Sequence, residues 1–134
     1  MPVEHLTPAG VADVGIPQVS VASGSRIAYF SGQVGSLPDG TPVSDDLRSQ
    51  FVQALRNAEV VATAAGVEPH HVAKVTTYVR DLGPGHLEEL IAGVSEYTQT
   101  GGRFTGFSAG TLVGVAALYE PWCLVELDIT AVID

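Results

Sequence analysis

The residues best equipped for chemistry in this sequence are few and scattered. Gly106-Phe107-Ser108-Ala109-Gly110 has the G-x-S-x-G spacing of a nucleophile elbow. Such an elbow lifts its serine on a turn between a strand and a helix, and takes an acid and then a histidine from later in the chain. Here a helix and a loop precede Ser108, a strand follows it, and the last histidine is His86, so the segment reads as a glycine-rich entry to a strand. His70 and His71 are adjacent; in an extended segment their side chains diverge, so they read as solvent-facing and no metal is expected there. The one lysine, Lys74, falls inside a strand-like stretch, and no G-K-[ST] motif accompanies it, which excludes a phosphate-loop nucleotidase. Cys123 has no neighbouring histidine and reads as a buried filler beside Trp122; alone, it can form neither an internal disulfide nor a cysteine zinc site. Glu88-Glu89 and Asp45-Asp46 fall near helix N-termini, where carboxylates suit the macrodipole. That leaves Glu126 and Asp128, two carboxylates on one face of an otherwise apolar C-terminal strand. The pattern is equally compatible with a solvated sheet surface and with a cleft between subunits, where burial would raise the pKa of one of them.

The elements that must position these residues follow from periodicity. After an irregular N-terminal arm, residues 18–22 and 26–31 read as two strands, paired as a hairpin through Ser23-Gly24-Ser25. From Ser44 onward Leu47, Phe51, Ala54, Leu55, Ala58, Val61, Ala62 and Ala65 recur at helical steps. Ser44 or Asp45 is the expected N-cap, and Gly66 closes the helix. Residues 72–80 are β-branched and aromatic enough for a strand. Leu87, Leu90, Ile91, Val94 and Tyr97 then predict a second helix, ended by Gly101-Gly102. Strands over 111–118 and 124–133 follow, the last with Val125, Leu127, Ile129, Ala131 and Ile133 on one face. A single strand between the helices disfavours a ferredoxin-like sandwich, which would place a hairpin there. The expectation is an α+β domain spanning 1–134, one mixed sheet with two helices covering one face. Residues 111–118 read as apolar on both sides, like a strand buried on two faces, so the uncovered face is expected to meet neighbouring subunits of a closed homo-oligomer.

Composition supports this. The 134 residues suit one core, and 46% hydrophobic against 16% charged is too apolar for disorder. Fifteen acidic and six basic residues give a net charge of −9, which repels a phosphate backbone, so nucleic acid is not an expected partner. No apolar run reaches the ~18 residues of a membrane span, and Met1-Pro2-Val3-Glu4-His5 lacks the features of a signal peptide. A cytoplasmic protein without membrane contact is expected.

Several segments together resemble the RidA family, also called YjgF or the L-PSP endoribonuclease family. They are Ser31-Gly32-Gln33-Val34-Gly35, Gln53-Ala54-Leu55-Arg56-Asn57 with Ala64-Ala65-Gly66, the run from Val72 to Leu82, Val113-Gly114-Val115-Ala116-Ala117-Leu118, and Val125-Glu126-Leu127-Asp128. The likeness runs from about Pro17 to the C-terminus. It implies a chorismate-mutase-like fold assembled as a homotrimer around a central β-barrel, with small-molecule clefts between subunits and no cofactor. It also implies hydrolysis of reactive enamines and imines such as 2-aminoacrylate to keto acids and ammonia. The endoribonuclease activity in the family's other name sits badly with the net charge and the single lysine.

The family's active members carry an arginine in a P-A-R segment, where its planar fork can grip a substrate carboxylate. The matching segment here is Ser108-Ala109-Gly110, so Gly110 stands at the arginine position. The family's ligand-contacting tyrosine falls on Gln18, its helix-two asparagine on Val94, and its water-positioning glutamate on Glu126. Gln18, Val94, Phe107, Gly110 and Glu126 are expected around one pocket between subunits, with Glu126 as the catalytic candidate. Arg103, seven positions before Gly110, is the nearest cation that could take the arginine's place; the competing reading is a surface role. Three functions follow. The first is an arginine-less protein that binds a neutral or apolar metabolite. The second is an imine deaminase with another carboxylate grip, and the third a purely interacting trimer.

Overall fold

The computed structural model describes residues 3–104 and 108–134. Its centre is a mixed sheet in the order β3 (Arg26–Tyr29), β7 (Val125–Ile133), β5 (Val72–Arg80), β6 (Ala109–Val115), with the short β4 (Gln33–Val34) also paired to β7. The β5–β6 pair is parallel and the others are antiparallel. Helices α1 (Leu47–Ala64) and α2 (His86–Gln99) lie on one face, as the order of elements predicts. The alternation in β7 places Val125, Leu127, Ile129, Ala131 and Ile133 in the core against α1, and the intervening positions on the other face.

Two expectations fail in detail. The strand before Ser23 does not form a hairpin with the next one. Instead β2 (Val19–Ala22) pairs antiparallel with β1 (Val3–Leu6), a strand hidden in the arm's irregular sequence, while β3 pairs with β7. Gly24 lies against the end of β7, where a Cβ would sit 2.6 Å from the Ile133 carbonyl oxygen. The segment Ser23-Gly24-Ser25 thus carries the chain from one sheet to another. The strand expected over 111–118 also has other bounds. It spans Ala109–Val115 as an edge strand, with Thr111, Leu112 and Gly114 exposed in the single chain.

Helix α1 is capped by Asp46, one residue beyond the predicted candidates, because its carboxylate accepts from the Ser49 amide at 2.9 Å and from the Ser44 hydroxyl at 2.6 Å. Both hydrogen bonds hold the Asp46 carboxyl below its ordinary pKa. Two amides on α1 tie the sheet's periphery to the helix. Asn57 donates to the Val34 and Ser36 carbonyls at 2.8 and 2.9 Å, anchoring β4. Gln50, fully buried, donates to the carbonyls of Ser44 and Trp122 and accepts from the Leu124 amide, all at 2.9 Å. Of the described helices, none is long and apolar enough to cross a membrane.

Candidate functional site

Between α2, the helix-facing side of β5 and β6, and the N-terminal arm lies a cavity of about 600 Å³. Parallel register decides which β6 residues reach it. Val75 pairs with Gly110 and Thr77 with Leu112, so these four point to the helix side, where Leu127 and Ile129 of β7 complete the floor. Phe51 and Leu55 of α1 and Leu90 and Val94 of α2 form the opposite wall. None of the described lining residues carries a charge. The mouth lies where lining residues reach solvent: Leu87 and Ile91 of α2 are 57% and 61% exposed, and Leu112 on the sheet edge is 38% exposed.

Gly110 lines this cavity, and Ile16 stands close to where its side chain would start. A Cβ built there would lie 3.2 Å from Ile16 Cδ1 and 3.4 Å from the Val75 carbonyl oxygen. Ile16 was not visible as a site residue in the sequence, because nothing in the arm's irregular pattern says which side chain reaches the fold. Gln18, the expected arm residue, is exposed and outside the cavity; its side-chain amide donates to the Ala12 carbonyl at 2.8 Å.

The expected site residues therefore do not gather around one pocket within the chain. Gly110 and Val94 do line the cavity. Glu126 does not, because pleat alternation turns it to the opposite sheet face, across from Tyr78 and next to Asp128 on the same strand side. There burial, and secondarily the Asp128 charge, raise the Glu126 pKa. Gly32 lies against that carboxyl group, where any Cβ would come within 2.5 Å of it. Phe107 lies outside the described residues.

Arg103 is also away from the cavity lining. Its guanidinium reaches Glu68 at 3.3 Å and Glu59 at 3.9 Å. Its backbone amide donates to Glu59 Oε1 at 3.0 Å and to the Tyr97 hydroxyl oxygen at 3.1 Å, while the Phe104 amide donates to the same hydroxyl at 3.0 Å. The Tyr97 hydroxyl in turn donates to Glu59. Burial would raise the Glu59 pKa, but the Tyr97 and Arg103 hydrogen bonds and the Arg103 charge together outweigh it and hold the carboxyl low. Burial first, then the Glu59 carboxylate, push Tyr97 up to about 12. The cluster ties the chain after α2 to α1, and this fixes Phe104 in the cavity wall.

The other sequence candidates take structural places. Ser108 is buried at the entry to β6, as the glycine-rich reading of G-x-S-x-G expects. His71 Nδ1 accepts from the Glu68 amide at 2.9 Å, capping the 3-10 turn Pro69–His71 that leads into β5. Cys123 is fully buried, its thiol donating to the Val125 carbonyl at 3.4 Å, and burial raises its pKa away from the thiolate.

Comparison with known proteins agrees with this architecture. The profile of the family described as endoribonuclease L-PSP matches residues 17–133. A RutC family protein of Aquifex aeolicus (strain VF5) is 27% identical over 79 residues, covering 59% of this chain and 62% of that protein's length. The crystal structure of YyfB from Yersinia pestis, a Rid-family protein of unknown function, aligns with a TM-score of 0.85 at 26% identity, over 98% of this chain and 99% of that one. RidA from the Antarctic bacterium Psychrobacter sp. PAMC 21119 aligns with a TM-score of 0.67 at 20% identity, over 99% of each chain.

Proposed function

The chain belongs to the endoribonuclease L-PSP family, also called RidA or YjgF, and from that membership we propose that it is a small-metabolite-binding protein without the family's usual grip on a substrate carboxylate. The observation that carries the reading is the pairing of Gly110 with Ile16 in a cavity whose described lining is uncharged. A keto or imino acid would enter as an anion, and losing charge-assisted hydrogen bonds weakens binding by ~1.5–3 kcal/mol each, at least about tenfold overall. A neutral ligand escapes that penalty. The site is completed by neighbouring subunits in a cytoplasmic homotrimer built around a central β-barrel, as the family resemblance implies. Two features support such an assembly: β6 is an uncovered edge strand, and Ile27 and Tyr29 on β3 are 56% and 77% exposed. Glu126 lies on the sheet face opposite this cavity and joins such a site only as a neighbouring subunit's contribution; there its raised pKa suits general-base work on bound water.

A second reading, an enamine or imine deaminase acting on 2-aminoacrylate-type intermediates, draws on the same Glu126. It needs a cation near the cavity, and the Arg103 guanidinium lies instead with Glu59 and Glu68. The test is ammonia release from enzymatically generated 2-aminoacrylate, together with calorimetric titration of 2-oxobutyrate. The expected result is neither hydrolysis above background nor binding. Hydrolysis at rates comparable to active relatives, abolished by Arg103→Ala, would overturn the first reading in favour of the second.

A further inference from the structure

The geometry points to an uncharged, hydrocarbon-rich ligand of on the order of ten to twenty non-hydrogen atoms, admitted between α2 and β6 and selected by Ile16; this rests on the reading of the protein as a metabolite binder. Size comes from the cavity, whose volume of about 600 Å³ is that of roughly twenty water molecules and within the range of drug-sized sites. Class comes from the walls. Phe51, Leu55, Val75, Leu90, Leu127 and Ile129 present hydrocarbon, and among the described lining there is no cation to meet an anion or anion to meet a cation. A charged group moved into such walls loses its hydration without a partner, whereas a hydroxyl or carbonyl needs only one hydrogen bond. The hydroxyls of Thr77 and Ser108 are in the lining to supply it. The net charge of −9 adds long-range repulsion against anions.

Ile16 sets the selectivity because its side chain, beside the Val75 carbonyl, stands against the bare backbone of Gly110. Its Cδ1 methyl stands beside the place from which a longer polar side chain at residue 110 would start. The arm that carries it is held locally, by Gly15 donating to Asp13 at 3.0 Å and Gln18 donating to Ala12, and by the Gln18 amide donating to Leu6 at 2.9 Å. An exchange at residue 16 can therefore alter the cavity's chemistry without touching the helices or the sheet.

The test is fluorescence titration of the full chain with the neutral dye N-phenyl-1-naphthylamine, followed by competition with 1-decanol, decanoate and 2-oxobutyrate. Saturable dye binding is expected, with decanol displacing it at concentrations at least about tenfold lower than decanoate and 2-oxobutyrate without effect. Ile91→Asp and Leu112→Asp, both at the mouth, are each expected to weaken decanol at least about tenfold. Ile16→Arg is expected to reverse the decanol-to-decanoate preference. Displacement by decanoate or 2-oxobutyrate as strong as by decanol overturns the ligand class but leaves a metabolite binder standing. Decanol binding that neither mouth variant changes places the site elsewhere and overturns the assignment of this cavity. If none of the four compounds binds, or a crystal structure of the assembled protein shows the cavity filled by a neighbouring copy's side chains, the metabolite-binding reading itself fails.

Discussion

Ile16 Cδ1 stands 3.2 Å from where a Cβ of residue 110 would be, so the arm and the edge strand are fitted to each other through the absence of a side chain. Residues 16 and 110 are thus one unit: a change at either alters the room left for the other.

Gly110→Arg alone is accordingly expected to lose about 1–3 kcal/mol of stability, since Ile16 must move aside and the Val75 carbonyl lies close behind. Adding Ile16→Ala should recover part of that loss, giving a favourable coupling in a double-mutant cycle read by urea unfolding. The double variant, and not Gly110→Arg by itself, is expected to acquire 2-oxobutyrate binding, and any gain of 2-iminobutyrate hydrolysis should appear there. Strictly additive losses would show that the two side chains do not compete for one space.

Glu126 should make the protein less stable as pH rises. Its folded-state pKa lies above the unfolded value because burial, and then Asp128, disfavour the charge. The stability this carboxyl contributes is therefore full below the unfolded pKa and is lost as pH climbs through the folded one. Glu126→Gln should match the unaltered protein in acid and exceed it in Tm at neutral pH. Asp128→Asn should move the Glu126 titration, followed by carboxyl carbon NMR, towards its ordinary value.

Tyr97→Phe is expected to destabilise the fold by about 1–3 kcal/mol, because it removes the acceptor used by the Arg103 and Phe104 amides and the donor to Glu59. Glu59, whose pKa is held low, contributes stability above its unfolded pKa and loses it as pH falls through the folded one. Tyr97→Phe should shrink that acid-side loss, and parallel Tm-versus-pH curves for the two proteins would count against this account.

Light scattering at micromolar concentration is expected to give the mass of three chains. Ile27→Asp with Tyr29→Asp, on exposed positions of β3, should yield a monomer whose far-UV circular dichroism is unchanged. A monomer from the unaltered protein would remove the proposed assembly.

What the sequence made legible was whatever a repeating period encodes. Strand β7 buries the alternate side chains that its two-residue spacing singles out, α1 buries Leu47, Phe51, Ala54, Leu55, Ala58 and Ala62 of its helical series, and α2 buries Leu90 and Tyr97 while Leu87 and Ile91 stay exposed; β5 was legible from its β-branched and aromatic content. The arm was not legible: β1 is four residues long, its partner β2 is mostly exposed, and β4 is two residues held by Asn57. Short exposed strands leave no hydrophobic period to read. The site was hard to read at a different level. Placing Gly110 and Glu126 in one pocket requires knowing which face each residue of two separate strands presents, and in a sheet a shift of one residue reverses the answer. Only the pairings of β5 with β6 and β7 fix it, and they put the two residues on opposite faces. Ile16 depended on where a loop crosses a strand, which no spacing records.

The position of β7 bears on the order of events in folding. It is the strand to which β3, β4 and β5 all pair, yet it follows every one of them in the chain. Arg26, at the start of β3, hydrogen-bonds to the carbonyl of Asp134, 108 positions later. During synthesis β3, β4 and β5 leave the ribosome with their common partner still unmade, and β3 stays unpaired until β7 follows. Contacts of such long sequence separation slow folding and lengthen exposure to other chains. This fold can close its sheet only once β7 has been made, so the pace of folding is set by its longest-range pairing.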